Sequence, residues 1–314
     1  MQDGPRDQQA RTSLNRGSNQ TAVRSYNERL ILQLVRRHGN LTKAEATRAT
    51  GLSANAVSMI FRALEAMNLL LREKPLRGRV GQPSTPMRLN PEAHYFLGLK
   101  IGRKSADLVL VNFVGDIVGT KTRGYEYPTP ELSLKFVATE VPSLLGAAMI
   151  AEDRVSGFGV AMPSEIWSWR DEIHAPEGAM DVWRHYDLSA AITKETGLVT
   201  KVFNDGTAAC GAEVVFAKTH QAQDFIYLFV GTMIGGGVVL NGSVFFGRTG
   251  NAGGFGPFRV PGGKPGADRL IDHASLYVLE RMLLDSNVGY ATGLDIWTNY
   301  PKVVDRWLDI AASA

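Results

Sequence analysis

At 314 residues, with 34 Lys and Arg against 31 Asp and Glu, the chain is long enough for two or three domains with hydrophobic cores, and its net charge of +3 is small. A single cysteine, Cys210, excludes an internal disulfide and any zinc site built from cysteines of this chain. No apolar run approaches the ~20 residues of a membrane-spanning helix, and the first residues lack the hydrophobic core of a secretion signal, so a cytoplasmic protein without a membrane partner is expected.

The small net charge hides an asymmetry. Up to Gly98 there are 15 Lys and Arg against 7 Asp and Glu; the remainder has 19 against 24. A basic first third on an acidic body points to nucleic acid meeting only the first part. Residues 1–20 are polar and expected to be a disordered tail, with Arg11, Arg16 and, just beyond it, Arg24 able to touch phosphate. Residues 21–90 read as a DNA-binding domain. Leu30, Ile31, Leu34 and Val35 recur at helical spacing. Thr42 with Glu45 three residues on is a capping box that starts a second helix. The turn Gly51-Leu52-Ser53 ends it, and Ser53 caps a third helix with Val57, Ile60 and Leu64 on its buried side.

The other side of that third helix shows Asn55, Ser58 and Arg62. Short polar residues near the N-terminus of a helix that follows a tight turn suit recognition in a major groove about 12 Å wide. An ordinary helical hairpin has the same local signals. A basic segment follows, with Arg72, Lys74, Arg77 and Arg79 around Gly78 and Gly81 and ending at Pro83, and reads as a β-hairpin wing. Three helices and a basic wing in this order make a winged helix-turn-helix, with Thr42, Lys43, Ser53, Asn55, Ser58, Arg62, Arg77 and Arg79 as the expected DNA-binding residues. Leu89-Asn90-Pro91 is the expected hinge.

From Tyr95 the pattern becomes that of strands: residues 96–102, 106–111 and 117–120 form an expected meander, with a turn at Gly115-Asp116. A helix is predicted from Pro130 to Met149, a strand from Val155 into Met162-Pro163, a helix from Ser189 to Thr196, a strand from Val199 to Phe203, and a helix from Thr207 to Phe216. This alternation makes a multi-domain α/β chain with a largely parallel sheet. A second meander follows, Phe225–Val230, Val238–Leu240 and Ser243–Phe246, with an Asn241-Gly242 hairpin turn. The repeated meander implies two related lobes, 91–220 and 221–314. Gly247–Gly266 reads as a loop region, residues 268–284 as one helix, and the remainder as helical or irregular.

Taken together, the winged helix, RGSNQTAVRSYN, GQP, LGLKIG, GFGVAMP, NDGTAA and GTMIGGGVVLNGSVFFGRTGNAGGFG resemble the ROK family, from about residue 20 to 285. The resemblance implies an actin-like (ribonuclease H-like) two-lobed body, apparently incomplete in its second lobe, behind a winged helix. It places the chain with the sugar-responsive repressors rather than the stand-alone sugar kinases. It also implies a sugar cleft at Met162, Pro163, Asn204, Asp205, Gly235 and Gly254, in which Asp205 matches the catalytic base of the kinases. As local signals, Asn204-Asp205 also reads as a helix cap and Gly231–Gly237 as a hairpin entry.

Three departures stand against catalysis and metal. Lys100 occupies the position of the kinase acid that helps organise Mg²⁺, and a lysine cannot ligate Mg²⁺. Gly254 and Pro257 stand where the family has the sugar-binding Glu and a zinc-ligating His, and Gly262–Gly266 replaces a cysteine-rich zinc loop. No cofactor, no metal and no catalytic residue is therefore expected. The expected partners are double-stranded operator DNA, a sugar or sugar-phosphate effector, and further copies of the chain in a homodimer or homotetramer. Two alternatives remain: a sugar kinase with an attached reader, and a regulator that uses the body only as an oligomerisation scaffold. Trp167, Trp169 and Trp183 either stack on a sugar or bury a domain edge, and His273 has no companion ligand.

Overall fold

A computed structural model describes residues 20–75, 84–169, 175–217, 222–264, 266–286 and 295–314. The chain divides into two compact units, Met1–Ala93 and His94–Ala314. In the first unit, α1 (Gln20–His38), α2 (Lys43–Thr50) and α3 (Ala54–Ala66) accompany three short strands, β1 (Asn40–Leu41), β2 (Leu70–Arg72) and β3 (Met87–Leu89), arranged β1-β3-β2 and all antiparallel. Ile31, Val35, Leu41, Ala46, Val57, Ile60, Phe61, Leu64, Leu70 and Met87 are buried, so the helical spacing read from the sequence is the packing face. The hinge expected at Leu89-Asn90-Pro91 falls slightly early. Asn90 is buried, its side chain donates to the Asn68 carbonyl and its N–H to the Leu69 carbonyl, and the division between units comes after Ala93.

The second unit begins with a five-stranded sheet of order β6-β5-β4-β7-β8. Its strands are β4 (Tyr95–Ile101), β5 (Ser105–Asn112), β6 (Ile117–Gly124), β7 (Val155–Met162) and β8 (Thr200–Asn204). The first three form an antiparallel meander; β7 and β8 join β4 in parallel. The crossovers are α4 (Pro130–Ala148) and α5 (Leu188–Thr196). Thr129 caps α4 with Pro130 at its first position, where the missing N–H costs no helical bond, and Asp187 caps α5. Leu97, Leu99 and Ile101 of β4 and Ala106, Leu108 and Leu110 of β5 share one core with Phe136, Val137, Val141, Leu144 and Leu145 of α4. Trp183 belongs to this core and donates its indole N–H to the Pro128 carbonyl at 3.0 Å, the edge-burying role, while the Arg184 guanidinium lies over the Trp167 ring.

Helix α6 (Asp205–Phe216) leads to a second sheet of order β11-β10-β9, antiparallel throughout, made of β9 (Phe225–Val230), β10 (Ile234–Leu240) and β11 (Ser243–Phe245). Asn241 and Gly242 both have positive φ, 52° and 70°, as a two-residue hairpin turn of this hand requires. Helix α6 begins two residues before the predicted Thr207, because the Asn204 side chain accepts the Thr207 N–H and caps it there.

Two expectations fail in the last part. The Gly247–Gly266 tract is not loop throughout: β12 (Arg259–Lys264) pairs with β13 (Ala267–Arg269). The single helix expected over 268–284 is two, α7 (Ile271–Ala274) and α8 (Leu276–Asp285), separated at Ser275. Ser275 is extended (ψ 152°); its carbonyl accepts the Trp307 indole N–H, and the next N–H, from Leu276, goes to the Gly231 carbonyl. The Leu276 N–H is thus diverted from the helical ladder, while the Ser275 carbonyl also accepts the Val278 and Leu279 N–H groups that begin α8. Helices α9 (Asp295–Asn299) and α10 (Pro301–Ser313) follow, with Val304 and Trp307 packed on Leu279 and Leu283. No helix among the described residues is long and apolar enough to cross a membrane.

Candidate functional site

In the first unit the capping box forms as read. The Thr42 N–H and hydroxyl both donate to Glu45 Oε2, at 2.9 and 2.7 Å, and the hydroxyl accepts the Glu45 N–H. These bonds hold the Glu45 carboxyl below its ordinary pKa. Thr42 is thereby buried with its hydroxyl occupied, so of the residues expected at DNA it has no side-chain group to offer. Gly51 ends α2 in the left-handed region and Ser53 accepts the Ala56 N–H, so the turn delivers α3 at once. With Val57, Ile60, Phe61 and Leu64 inward, α3 leaves Ser53, Asn55 and Arg62 exposed and Ser58 half-buried along its other face. Asn55, Ser58 and Arg62 follow at intervals of three and four, one helical row. Lys43 is exposed at the start of α2.

Arg77 and Arg79 of the expected wing lie outside the described residues, as do Gly78, Gly81 and Pro83. Strands β2 and β3 frame that segment, as a wing requires. Arg72, counted with the basic segment, makes a two-pronged ion pair with Glu65 of α3, at 2.5 and 2.8 Å. The spacing of seven residues across a turn gave no sequence signal for it.

The second unit gathers the other group at the C-terminal ends of its parallel strands. Lys100 of β4 is in register with Ala161 of β7, and Ala161 with Phe203 of β8; Met162 is in register with Asn204. Lys100, Met162, Pro163, Asn204 and Asp205 therefore share one edge, the edge at which open α/β sheets bind ligands. Asp205 Oδ1 accepts the Asn204 amide at 3.2 Å and the Gly206 N–H at 3.0 Å. Burial pushes its carboxyl above the ordinary aspartate pKa, opposed in part by the Gly206 N–H and by the Lys100 ammonium.

The glycines of the tract close the site from the second sheet, and they do so by contact. A Cβ on Gly206 would lie 2.6 Å from the Gly236 nitrogen; one on Gly253 would lie 2.0 Å from the Gly236 oxygen; one on Gly237 would lie 2.4 Å from the Cys210 Cβ. Backbone therefore packs on backbone where α6, β10 and the 251–256 turn meet, and Thr207 Oγ1 reaches the Gly236 carbonyl at 3.4 Å. Gly235 and Gly254 border this joint; a Cβ on Gly254 would meet the Asn251 amide at 3.1 Å.

Sequence reasoning missed the role of the β4–β5 turn. Arg103 is buried and pairs with Glu280 of α8 at 2.5 Å, tying that turn to the helix of the second lobe. Lys104 donates to the Glu126 carbonyl. A separation of 177 residues leaves no local pattern for the Arg103–Glu280 pair. His273, half-buried, bonds through Nε2 to the Ala267 carbonyl, and among the described residues no three His, Cys, Asp or Glu come together as a metal site.

The ROK family model matches residues 96–267, more than half of the chain. The xylose repressor of Bacillus subtilis (strain 168) is 22% identical over 243 residues, covering 77% of this chain and 62% of the repressor. The beta-glucoside kinase of Listeria innocua serovar 6a is 30% identical over 199 residues, covering 59% of this chain and 67% of the kinase. The chain thus spans less than two-thirds of the repressor's length. The solved structure of a ROK family transcriptional regulator, a homologue of the E. coli Mlc protein, shares the fold with a TM-score of 0.61 at 20% identity, over 87% of this chain and 70% of that one. The chain belongs to the ROK family.

Proposed function

We propose that this protein is a sequence-specific DNA-binding transcriptional regulator, a repressor of carbohydrate-related genes, whose body binds a sugar-type effector and transfers no phosphoryl group. The observation that carries it is the polar row Asn55, Ser58 and Arg62 on α3, exposed except for the half-buried Ser58, presented by the turn that Ser53 caps and set beside a two-stranded wing frame. The xylose repressor relative supports the same reading. Residues 21–90 act as the reader, and 91–220 and 221–314 as the two lobes of the body. A homodimer or homotetramer places two readers on a pseudo-palindromic operator, with Lys43 and the wing residues Arg77 and Arg79 on the backbone. Effector in the cleft shifts the lobes by its differential affinity for two states, and so the spacing of the readers.

Lys100 supports the absence of phosphoryl transfer, since an ammonium at the strand end cannot organise Mg²⁺. Selection of random DNA by the purified protein at moderate salt tests the first part: enrichment of a two-fold symmetric site is expected, and binding without sequence preference overturns it. Truncating a side chain that reads a base, as in Asn55→Ala, should cost about 1–3 kcal/mol of discrimination at one position of the site. The kinase reading keeps one specific support, the buried Asp205 at the position of the family's base, together with the kinase relative. ATP-dependent sugar phosphorylation abolished by Asp205→Asn would establish it. The scaffold-only reading rests on Gly254 and Pro257 in place of ligand-binding side chains, and no thermal stabilisation by any sugar would favour it.

A further inference from the structure

The β4–β5 turn and the strand end before it carry three cations, Lys100, Arg103 and Lys104, and two of them are engaged. Arg103 pairs with Glu280, and Lys104 donates to the Glu126 carbonyl. Lys100 has no hydrogen-bond or ion-pair partner among the described residues. Its Nζ lies over the turn, 3.1 Å from where a Cβ on Gly102 would stand, so the absence of a side chain at Gly102 leaves it room. From the end of β8, with β7 between it and β4, Asp205 presents a second polar group at the same edge. Its Oδ1 is taken by Asn204 and Gly206, neither bond involves its Oδ2, and the residue is half-buried. The register of Lys100 with Ala161 and of Ala161 with Phe203 brings Lys100 and Asp205 to one edge of the sheet, where the ammonium opposes in part the rise that burial gives the Asp205 pKa.

An ammonium without a partner among the described residues and a half-buried carboxylate at one sheet edge select a ligand of mixed chemistry. The carboxylate accepts hydroxyl hydrogens and repels anions; the ammonium attracts an anion and offers little to a neutral sugar. We infer that the cleft takes a monosaccharide bearing one anionic group, a phosphate or a carboxylate, with the anion on Lys100 and ring hydroxyls on Asp205 and the Asn204 amide. The inference rests on the effector reading proposed above and narrows it from sugars at large to charged ones. It also gives Lys100 a role beyond displacing a kinase acid: the position that would hold a metal-bound phosphate in a kinase holds the ligand's own charge here.

The test is thermal shift followed by calorimetry on the full chain. Matched sets of an aldohexose, its 2-acetamido form and an aldopentose are compared as the neutral sugar, the terminal phosphate and the uronic acid, with inorganic phosphate alone as a further arm. One charged form should stabilise the protein, with an affinity that falls as salt rises, while its neutral parent binds at least about tenfold more weakly, the scale of one charge-assisted hydrogen bond. Whether phosphate or uronate wins identifies the anion. Lys100→Met should lose that preference and leave the weak neutral affinity, and Lys100→Arg should restore part of it. Neutral sugar binding as tightly as its charged forms overturns the inference and leaves the effector reading standing. Equal binding of inorganic phosphate alone overturns it too, since the hydroxyls would then contribute nothing. No binding by any sugar removes both the inference and the effector reading; DNA selection judges the regulator separately. An unchanged charged-sugar affinity in Lys100→Met, with its circular dichroism and melting intact, overturns the assignment to Lys100.

Discussion

The two meanders of the body have the same strand order and opposite interiors. In the first, β4 and β5 place Leu97, Leu99, Ile101, Leu108 and Leu110 against the aromatic and aliphatic face of α4, so side chains fill the space between sheet and helix. In the second, β10 reads Ile234-Gly235-Gly236-Gly237, and α6 and the 251–256 turn come so close that their own glycines, Gly206 and Gly253, meet its backbone. The first interior loses stability when atoms are removed; the second loses it when atoms are added. The glycine tract is thus accounted for by the close approach of α6, β10 and the 251–256 turn, with no need of a phosphate to explain it.

The largest effect should come from emptying the first interior. Leu108→Ala, at a fully buried position, should cost roughly 2–5 kcal/mol in urea unfolding, and a cost under 1 kcal/mol would show that the site collapses freely. Filling the second comes next. Gly236→Ala would put a Cβ 2.0 Å from the Tyr227 oxygen and 2.7 Å from the Phe255 ring, and should cost about 1–3 kcal/mol or more, with weakened protection of the β9–β10 amides in hydrogen exchange. The change confined to the joint itself is Asp205→Asn. Burial raises this carboxyl's pKa in the folded state, so the native protein binds the proton more tightly than the unfolded chain, and stability falls as pH rises from the ordinary aspartate range, near 4, through the folded value. Removing the charge should therefore make the unliganded variant more stable than the wild type at neutral pH, with the gap closing toward acid, in unfolding curves measured across that range. Smallest of all, Gly159→Ala in β7 should change stability by less than about 0.5 kcal/mol, because nothing lies within 4 Å of the added carbon. A large loss there would mean that the contrast between the sheets is not one of space.

Much of the first unit was legible because its signals are local. A capping box spans four residues and a turn glycine acts on its own φ, so Thr42, Glu45, Gly51 and Ser53 behave as read. The same holds for the Asn241-Gly242 hairpin and for the Asn204 cap, which the residues also allowed as a site. Thr42 shows the limit of such reading: the bonds that make it a good cap take away the hydroxyl that was assigned to DNA. The β12–β13 pair was hidden in a glycine-rich stretch because pairing depends on what lies alongside.

What the amino-acid sequence determined by itself was the elements up to β11 in outline, their order and the family, since caps, alternating strands and turn pairs are properties of neighbours along the chain. The tertiary structure decided the rest. It broke the helix at Ser275 by drawing the Leu276 N–H to the Gly231 carbonyl, paired Arg103 with Glu280 across 177 residues, and left Lys100 without a partner among the described residues at the sheet edge that carries Asp205. These are relations between residues distant in sequence, and which polar group finds a partner there depends on the distances that folding creates. No pattern of residue types along the chain encodes those distances.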